Sequence, residues 1–172
     1  LTLLRHEKEA LGLYISAHPM GSYPGLADAA TVPVEGVERL FRAFQKEGGG
    51  GRMRVVLAGL LQNVVKRPTR KGGMMARLEI ADESGAREVL AFGRTFDAVA
   101  PLLQEDAPVV AVVELNEDGE GVRAILERLI RWDTRQASQG GAPEVALLSF
   151  DVEQVPADQL LELRSLLDEH AG

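Results

Sequence analysis

The 172-residue sequence contains no cysteine, which excludes disulfide bonds, a thiolate nucleophile and any zinc or iron–sulfur site built on cysteine. It also lacks an apolar run of the roughly 18 to 20 residues that a membrane-spanning helix needs, so we expect no membrane partner. The N-terminus does not show the pattern of a secretory signal, in which basic residues are followed by an apolar run and then by small residues. The chain begins with Leu1 rather than Met. These absences lead us to expect a fragment of a longer protein that works in a reducing cytoplasm.

Histidine and aromatic residues are also scarce. The three histidines, His6, His18 and His170, lie far apart and lack the spacing of metal ligands. Asp82 and Glu83 precede a Ser-Gly pair, a composition typical of a turn rather than of paired catalytic carboxylates. We therefore expect no catalytic residue, no metal ligand and no cofactor in this chain.

Charge is unevenly distributed along the chain, whose formal net charge is −7. Residues 1–51 carry five Lys/Arg against six Asp/Glu, residues 52–131 carry twelve of each, and residues 132–172 carry two against eight. The acidic excess therefore lies at the C-terminal end, which suits a protein partner better than DNA. Residues 66–77 contain no acidic side chain and five basic ones: Lys66, Arg67, Arg70, Lys71 and Arg77. This stretch is the one local feature that indicates an anionic partner.

The first 51 residues have the pattern of a helical segment. Apolar residues recur at helical spacing up to Ile15, which predicts a helix that ends near Ser16. A second short helix is predicted over residues 37–44, where the same spacing returns. The four glycines at 48–51 have no side chain to pack, so we predict a flexible joint and a domain boundary there.

From Met53 the apolar period changes from about 3.6 to about 2 residues, and β-branched residues become frequent. The predicted strands comprise residues 53–65, 74–81, 87–92, 108–115 and 122–130. A helical pattern with Phe96 as its core anchor separates the third strand from the fourth. Gly59, inside the long first strand, predicts a bulge or a sharp bend. The expected fold class is mainly β with α, in which residues 52–132 form a five-stranded OB-fold barrel preceded by the helical segment.

Beyond the barrel, the sequence predicts a linker and an incomplete domain. Residues 133–146 are rich in polar residues and glycine, as a linker is. Residues 147–172 contain one strand pattern followed by one amphipathic helix pattern. One strand and one helix cannot close a core, so we expect a truncated α/β C-terminal domain.

Several short motifs resemble a known family. Residues 9–19 read Glu-Ala-Leu-Gly-Leu-Tyr-Ile-Ser-Ala-His-Pro, which fits the pattern E-x-L-G-x-Y-x-x-x-H-P in the C-terminal third of the alpha subunit of bacterial DNA polymerase III. The resemblance continues through residues 58–59 (Ala-Gly), 69–72 (Thr-Arg-Lys-Gly), the hairpin at 75–92 and residues 160–172. It therefore covers nearly the whole chain, and the order and spacing of the motifs argue against chance.

The resemblance implies a non-catalytic piece of a DNA-directed DNA polymerase, a nucleotidyltransferase of the bacterial cytoplasm. In that family the palm carboxylates that hold divalent metal such as Mg²⁺ precede this region. Residues 1–51 would be the tail of the region that binds the sliding clamp, and residues 147–172 the start of the domain that binds the clamp-loader tau subunit. The clamp-binding peptide would lie before Leu1 and the last domain stops at Gly172, so neither partner activity is assumed for this chain.

By the same resemblance, the OB-fold binds single-stranded template DNA without sequence preference during DNA replication. The candidate phosphate contacts are the basic residues in and beside the loop between the first two barrel strands: Lys66, Arg67, Arg70, Lys71 and Arg77. Phe92 is the candidate for stacking on a base, with packing in the core as the equal alternative. Because few aromatic residues are present, we expect weak affinity dominated by electrostatics.

Other interpretations of the same residues are open. The basic stretch is also what an ordinary solvated turn looks like. The barrel and its acidic tail would equally suit a docking scaffold for the sliding clamp or the tau subunit. An OB-fold from a tRNA-binding enzyme would explain the barrel alone and leave residues 1–24 unexplained.

Overall fold

The structure is a computed structural model, and it describes residues 19–119 and 121–132. In chain order its elements are α1 (Val37–Lys46), β1 (Arg52–Pro68), β2 (Met74–Ala81), β3 (Ala86–Phe92), α2 (Gly93–Val99), β4 (Pro108–Asp118) and β5 (Gly121–Arg131). None of the helices in these residues is long and apolar enough to cross a membrane. The predicted first helix, the linker and the C-terminal domain lie outside the described residues.

The five strands form a closed barrel in the order β1-β2-β3-β5-β4. Among the described strand pairs, only β3 and β5 run parallel, with Leu90 in register with Ile125. The helix α2 connects β3 to β4, and a short 3₁₀ helix (Ala100–Leu102) with Pro101 in its first turn extends it. This strand order and helix position are those of an OB-fold, so the predicted fold class is confirmed for the barrel.

The long strand β1 contributes to both sides of the barrel. Leu60 pairs with Pro108 of β4 and also with Ala81 of β2. Gly59 lies beside this crossover, where a Cβ would come within 3.0 Å of the Ala81 carbonyl oxygen. The irregularity predicted at Gly59 is therefore a close approach of two backbones rather than a bulge.

A β-bulge lies further along β1, between Gln62 and Val65. Gln62 pairs with Glu79 and Val65 with Arg77, so β1 has one residue more than β2 in this interval. Asn63 in the bulge has a φ of 51°, in the left-handed region that Asn adopts more readily than most residues. Its Nδ2 donates a hydrogen bond to Glu79 Oε2 at 2.7 Å, which fixes the bulge against β2.

The bulge changes which residues of β1 face the barrel interior. Leu61 before it and Val64 after it are three positions apart, yet both pack against the core. Side chains of a regular strand alternate between the two faces. The extra residue therefore exchanges the inward-facing and outward-facing positions in the part of β1 that follows the bulge. Beyond the bulge, Val64 and Lys66 share one face, while Val65 and Arg67 share the other.

The apolar core fills the barrel and extends into α1 at one end. Phe41 of α1 is fully buried and belongs to the same cluster as Leu57 and Leu78 of the barrel. Phe96 of α2 is buried in that cluster as well, which confirms its predicted role as a core anchor. The glycines at 48–51 thus connect two elements that share a core, and the domain boundary drawn there stays a prediction.

A second apolar cluster covers the outer wall formed by β1 and β4. Leu26 and Trp132 pack there against Val56 and Val110. The Thr31 amide donates to the Val56 carbonyl oxygen at 2.9 Å, and the Val56 amide donates to Thr31 Oγ1 at 3.0 Å. Residues 26–31 are therefore fastened to this wall of β1 and β4.

Asp82 forms the turn between β2 and β3, as its composition predicts. Its Oδ1 accepts hydrogen bonds from the Ser84 amide at 2.7 Å and the Gly85 amide at 3.1 Å. Its Oδ2 accepts the Val34 amide at 2.8 Å, which holds the chain just before α1. The helix α1 therefore lies at one end of the β2–β3 hairpin. The basic loop, which joins β1 to β2 at residues 69–73, lies at the other end.

Candidate nucleic-acid interface

The loop between β1 and β2 is closed by its own hydrogen bonds. The Thr69 amide donates to the Gly73 carbonyl oxygen at 3.0 Å, and Thr69 Oγ1 donates to the Gly72 carbonyl oxygen at 2.8 Å. Gly72 and Gly73 have φ values of 79° and 93°, which other residues rarely adopt. The sequence thus builds a tight turn that carries two basic residues at its tip.

Three cations in or beside the loop between β1 and β2 face solvent. Arg67, Arg70 and Lys71 are exposed. Within residues 19–119 and 121–132, no Asp or Glu forms an ion pair with any of these three. Within the part of the chain that the structure describes, no carboxylate neutralises these cations, and they can bind phosphate oxygens.

Arg67, Met75 and Phe92 form a row across three strands. Arg67 is in register with Met75 of β2, and Met75 is in register with Phe92 of β3. Residues in register on neighbouring strands project from the same face of a sheet. The next residues along, Ala76 and Ala91, are buried in the core, so the row lies on the outside of the barrel. It offers a guanidinium for a phosphate and an apolar surface for a base.

Phe92 is a surface residue, and its role in stacking on a base stays a prediction. It is 40% exposed, whereas Phe96 is only 7% exposed within the core. Gly93 follows with a φ of 51° and turns the chain into α2. A Cβ at Gly93 would meet no atom within 4 Å outside its chain neighbours, so Gly93 itself lies in an open position.

Lys66 does not join this row. Its side chain lies on the other face of β1, and its Nζ donates to the Ala100 carbonyl oxygen at 3.3 Å. Ala100 is the residue at the C-terminal end of α2, where backbone carbonyls carry partial negative charge that a cation stabilises. Lys66 therefore fastens β1 to the end of the helix.

Arg77 lies on the same face as Arg67 but is paired with an acidic residue. Its Nε is 3.6 Å from Glu88 Oε2, and both side chains are 52% exposed. Beside it is an open cleft of about 400 Å³, lined by Asn63, Val64, Val65, Arg77, Glu79, Glu88 and Glu105. With three carboxylates and one guanidinium in its lining, this cleft is negative where the neighbouring row is positive.

The sequence did not identify the apolar part of this face. Val65, Arg77, Leu90 and Ile125 are in register across four strands, and all of them except the arginine are partly buried apolar residues. The sequence does carry a sign of an apolar outer face. Met75 and Leu90 occupy outward positions of β2 and β3, where a solvated strand carries polar residues. Only the register shows that these positions adjoin.

Similarity to known proteins is found over the whole chain. It is 44% identical to DNA polymerase III subunit alpha of Deinococcus radiodurans and 39% identical to that of Thermus aquaticus, over 172 residues in each case. The chain corresponds to the C-terminal part of DNA polymerase III alpha subunits. It spans 12% and 13% of the length of these two alpha subunits. No protein-family model matches the chain.

Among solved structures, the mitochondrial single-stranded DNA binding protein Rim1 of S. cerevisiae is similar to part of this chain. The match has a TM-score of 0.40 and 8% identity, and it covers 47% of this chain and 96% of Rim1. The assignment of the OB-fold rests on the strand order of the barrel itself, and the assignment to DNA polymerase III alpha subunits rests on sequence identity.

Proposed function

We propose that the barrel binds single-stranded DNA without sequence preference and guides the template during bacterial DNA replication, as part of a DNA polymerase III alpha subunit. The observation that carries the proposal is the row of Arg67, Met75 and Phe92 beside the exposed cations Arg70 and Lys71. The identity to alpha subunits supplies the replication context.

Electrostatics accounts for most of the proposed affinity. Arg67, Arg70 and Lys71 each neutralise one phosphate and release its condensed counterions. For single strands the slope of log K against log salt is about −0.7 per phosphate contact, so three contacts give about −2. Because phosphates are the same at every nucleotide, this part of the binding does not depend on sequence.

Stacking supplies the remaining contact. Phe92 presents an exposed ring at the end of the row, and Met75 extends the apolar surface towards Arg67. Every base has a π-face, so stacking tolerates all sequences and contributes roughly 1–3 kcal/mol per base. With one such ring in the described face, the affinity is expected to be modest and sensitive to salt.

For the longer protein we propose the DNA-directed polymerase activity named by its relatives, with Mg²⁺ as the metal of that reaction. This chain, which spans about an eighth of the relatives' length, is proposed to be non-catalytic and to hold no cofactor. Within the described residues no group of three or more His, Cys, Asp or Glu side chains could hold a metal ion.

The flanking segments and their partners complete the proposal. Residues 1–51 form the tail of a clamp-binding region, residues 133–146 a linker, and residues 147–172 the start of a tau-binding domain. The sliding clamp and the clamp-loader tau subunit are accordingly proposed as partners of the longer protein in the bacterial cytoplasm.

Fluorescence anisotropy of labelled oligo-dT, titrated with the full chain at several salt concentrations, tests DNA binding. The variant R67A/R70A/K71A removes the three cations of the loop end. As a matched control, R39A/R42A/K46A removes the same charge from the exposed face of α1, at the opposite end of the hairpin. The wild type and the control are expected to bind alike, with a slope of about −2, and the loop variant to lose that slope.

Two results would contradict the proposal. One is the absence of oligo-dT binding by the wild type even at low salt, which would favour a docking scaffold for the sliding clamp or the tau subunit. The other is an equal loss of affinity in the loop variant and the α1 control, because DNA would then respond to net charge and not to this face.

A further inference from the structure

We infer that Glu88 masks Arg77 and that, together with Glu79 and Glu105, it marks the end of the DNA path on this barrel. This inference rests on the proposed function. Its consequence is that a bound strand crosses the end of the barrel that carries the basic loop and does not follow the whole length of the β2–β3 hairpin.

Arg77 lies where a further phosphate contact is expected. It is two residues along β2 from Met75 and on the same face, which places it roughly 7 Å from the row of Arg67. The Glu88 carboxylate nevertheless lies 3.6 Å from its Nε. A phosphate that approaches Arg77 must therefore displace Glu88 or share the guanidinium with it.

The other two carboxylates of the cleft are held in place by the bulge of β1. Glu79 Oε2 accepts a hydrogen bond from Asn63 Nδ2, and Glu105 Oε1 accepts one from the Val64 amide, both at 2.7 Å. Fixed in this way, their negative charge faces the cleft and repels a phosphodiester.

Glu79 and Glu88 concentrate negative charge at one place on the hairpin. The two residues are directly in register on neighbouring strands. Like charges in this position repel each other, a cost that the bond of Glu79 to Asn63 and the ion pair of Glu88 with Arg77 offset. A role in limiting where an anion binds gives a reason for the pair on this face.

Because the path ends at the cleft, the footprint is expected to be short. OB-folds cover about 4 to 16 nucleotides, and this barrel is expected to lie near the lower limit. Lengthening oligo-dT beyond about five nucleotides should then increase affinity only statistically, in proportion to the number of equivalent places along the oligonucleotide where the barrel can bind. In E79Q/E88Q, where the negative charge is reduced, longer oligonucleotides should gain more than that.

The masking of Arg77 is tested by E88Q in the same anisotropy titration, with the full chain. The variant is expected to bind about two- to five-fold more tightly, because the interaction gained is about as strong as one exposed charge pair. Its salt slope should steepen by about 0.7, the value for one more phosphate contact. In R77A/E88Q the slope should return to the wild-type value, because the added contact is made by Arg77. The variant E88D keeps the charge and should behave as the wild type.

The matched control is E83Q, which removes one exposed carboxylate from the turn at the far end of the hairpin. It should leave affinity and salt slope unchanged. Equal slopes for E88Q and the wild type, with normal loss of binding in R67A/R70A/K71A, would overturn the masking and leave the proposed function intact. If the wild type does not bind oligo-dT at all, the proposed function and this inference fail together.

Discussion

Gly59 lies so close to the Ala81 carbonyl oxygen that a side chain at residue 59 cannot fit without moving the backbone. A Cβ there would come within 3.0 Å of both the oxygen and the carbonyl carbon of Ala81. At the next residue, Leu60, β1 pairs with β2 and β4 at once. This close contact therefore fixes the course of the strand that later presents Arg67 and leads into the basic loop.

The substitution G59A is expected to lower the free energy of unfolding by about 1–3 kcal/mol, because the added methyl group overpacks a backbone that cannot rotate away. Urea denaturation of the chain measures the loss. G85A is the matched control, since a Cβ at Gly85 would meet nothing within 4 Å. The control should stay within about 0.5 kcal/mol of the wild type. Equal losses in the two variants would contradict the close approach.

Asp82 should contribute to stability and not to DNA binding. Because its two carboxylate oxygens accept hydrogen bonds from the turn and from Val34, D82A is expected to lose about 1.5–3 kcal/mol of unfolding free energy. D82N keeps one acceptor oxygen and should lose less. Urea denaturation and oligo-dT anisotropy measured side by side check this, and a D82A variant that folds normally but binds DNA poorly would refute it.

Much of the barrel could be predicted because its signals are local. Alternation of apolar residues identified all five strands within a few residues of their ends, and the Asp-Glu-Ser-Gly turn gave the hairpin between β2 and β3. The bounds were less accurate where a strand extends into polar sequence. β4 ends at Asp118, three residues beyond the predicted end at residue 115, because pairing with β5 continues after the apolar run stops.

The candidate site was less predictable because its geometry depends on register. Lys66 and Arg67 are adjacent in sequence, yet one contacts Ala100 at the end of α2 and the other faces outward with Met75. Which of them faces outward is decided by the single extra residue at Asn63, and apolar alternation does not report a bulge of that kind. The pairing of Arg77 with Glu88 likewise follows from the alignment of β2 with β3.

Asn63 is therefore expected to be important for both stability and DNA binding. Its φ of 51° is tolerated by Gly but is unfavourable for a β-branched residue, so N63V should lose about 1–3 kcal/mol of unfolding free energy and N63G considerably less. If N63V relieves the strain by removing the bulge, Arg67 leaves the outer face and oligo-dT binding weakens. The idea is contradicted if N63V and N63G have the same stability and the same affinity.

Phe92 should affect DNA affinity more than stability, which is the opposite of what is expected for Phe96. Because the Phe92 ring is 40% exposed, F92A should weaken oligo-dT binding by about 1–3 kcal/mol and leave the salt slope unchanged, since no charge is removed. F92W keeps an aromatic surface and should retain the affinity. F96A empties a buried position and should lose about 3–5 kcal/mol of unfolding free energy. Anisotropy and urea denaturation of the three variants separate stacking from packing: if F92A is destabilised as strongly as F96A while its DNA affinity is unchanged, Phe92 packs the barrel and does not contact a base.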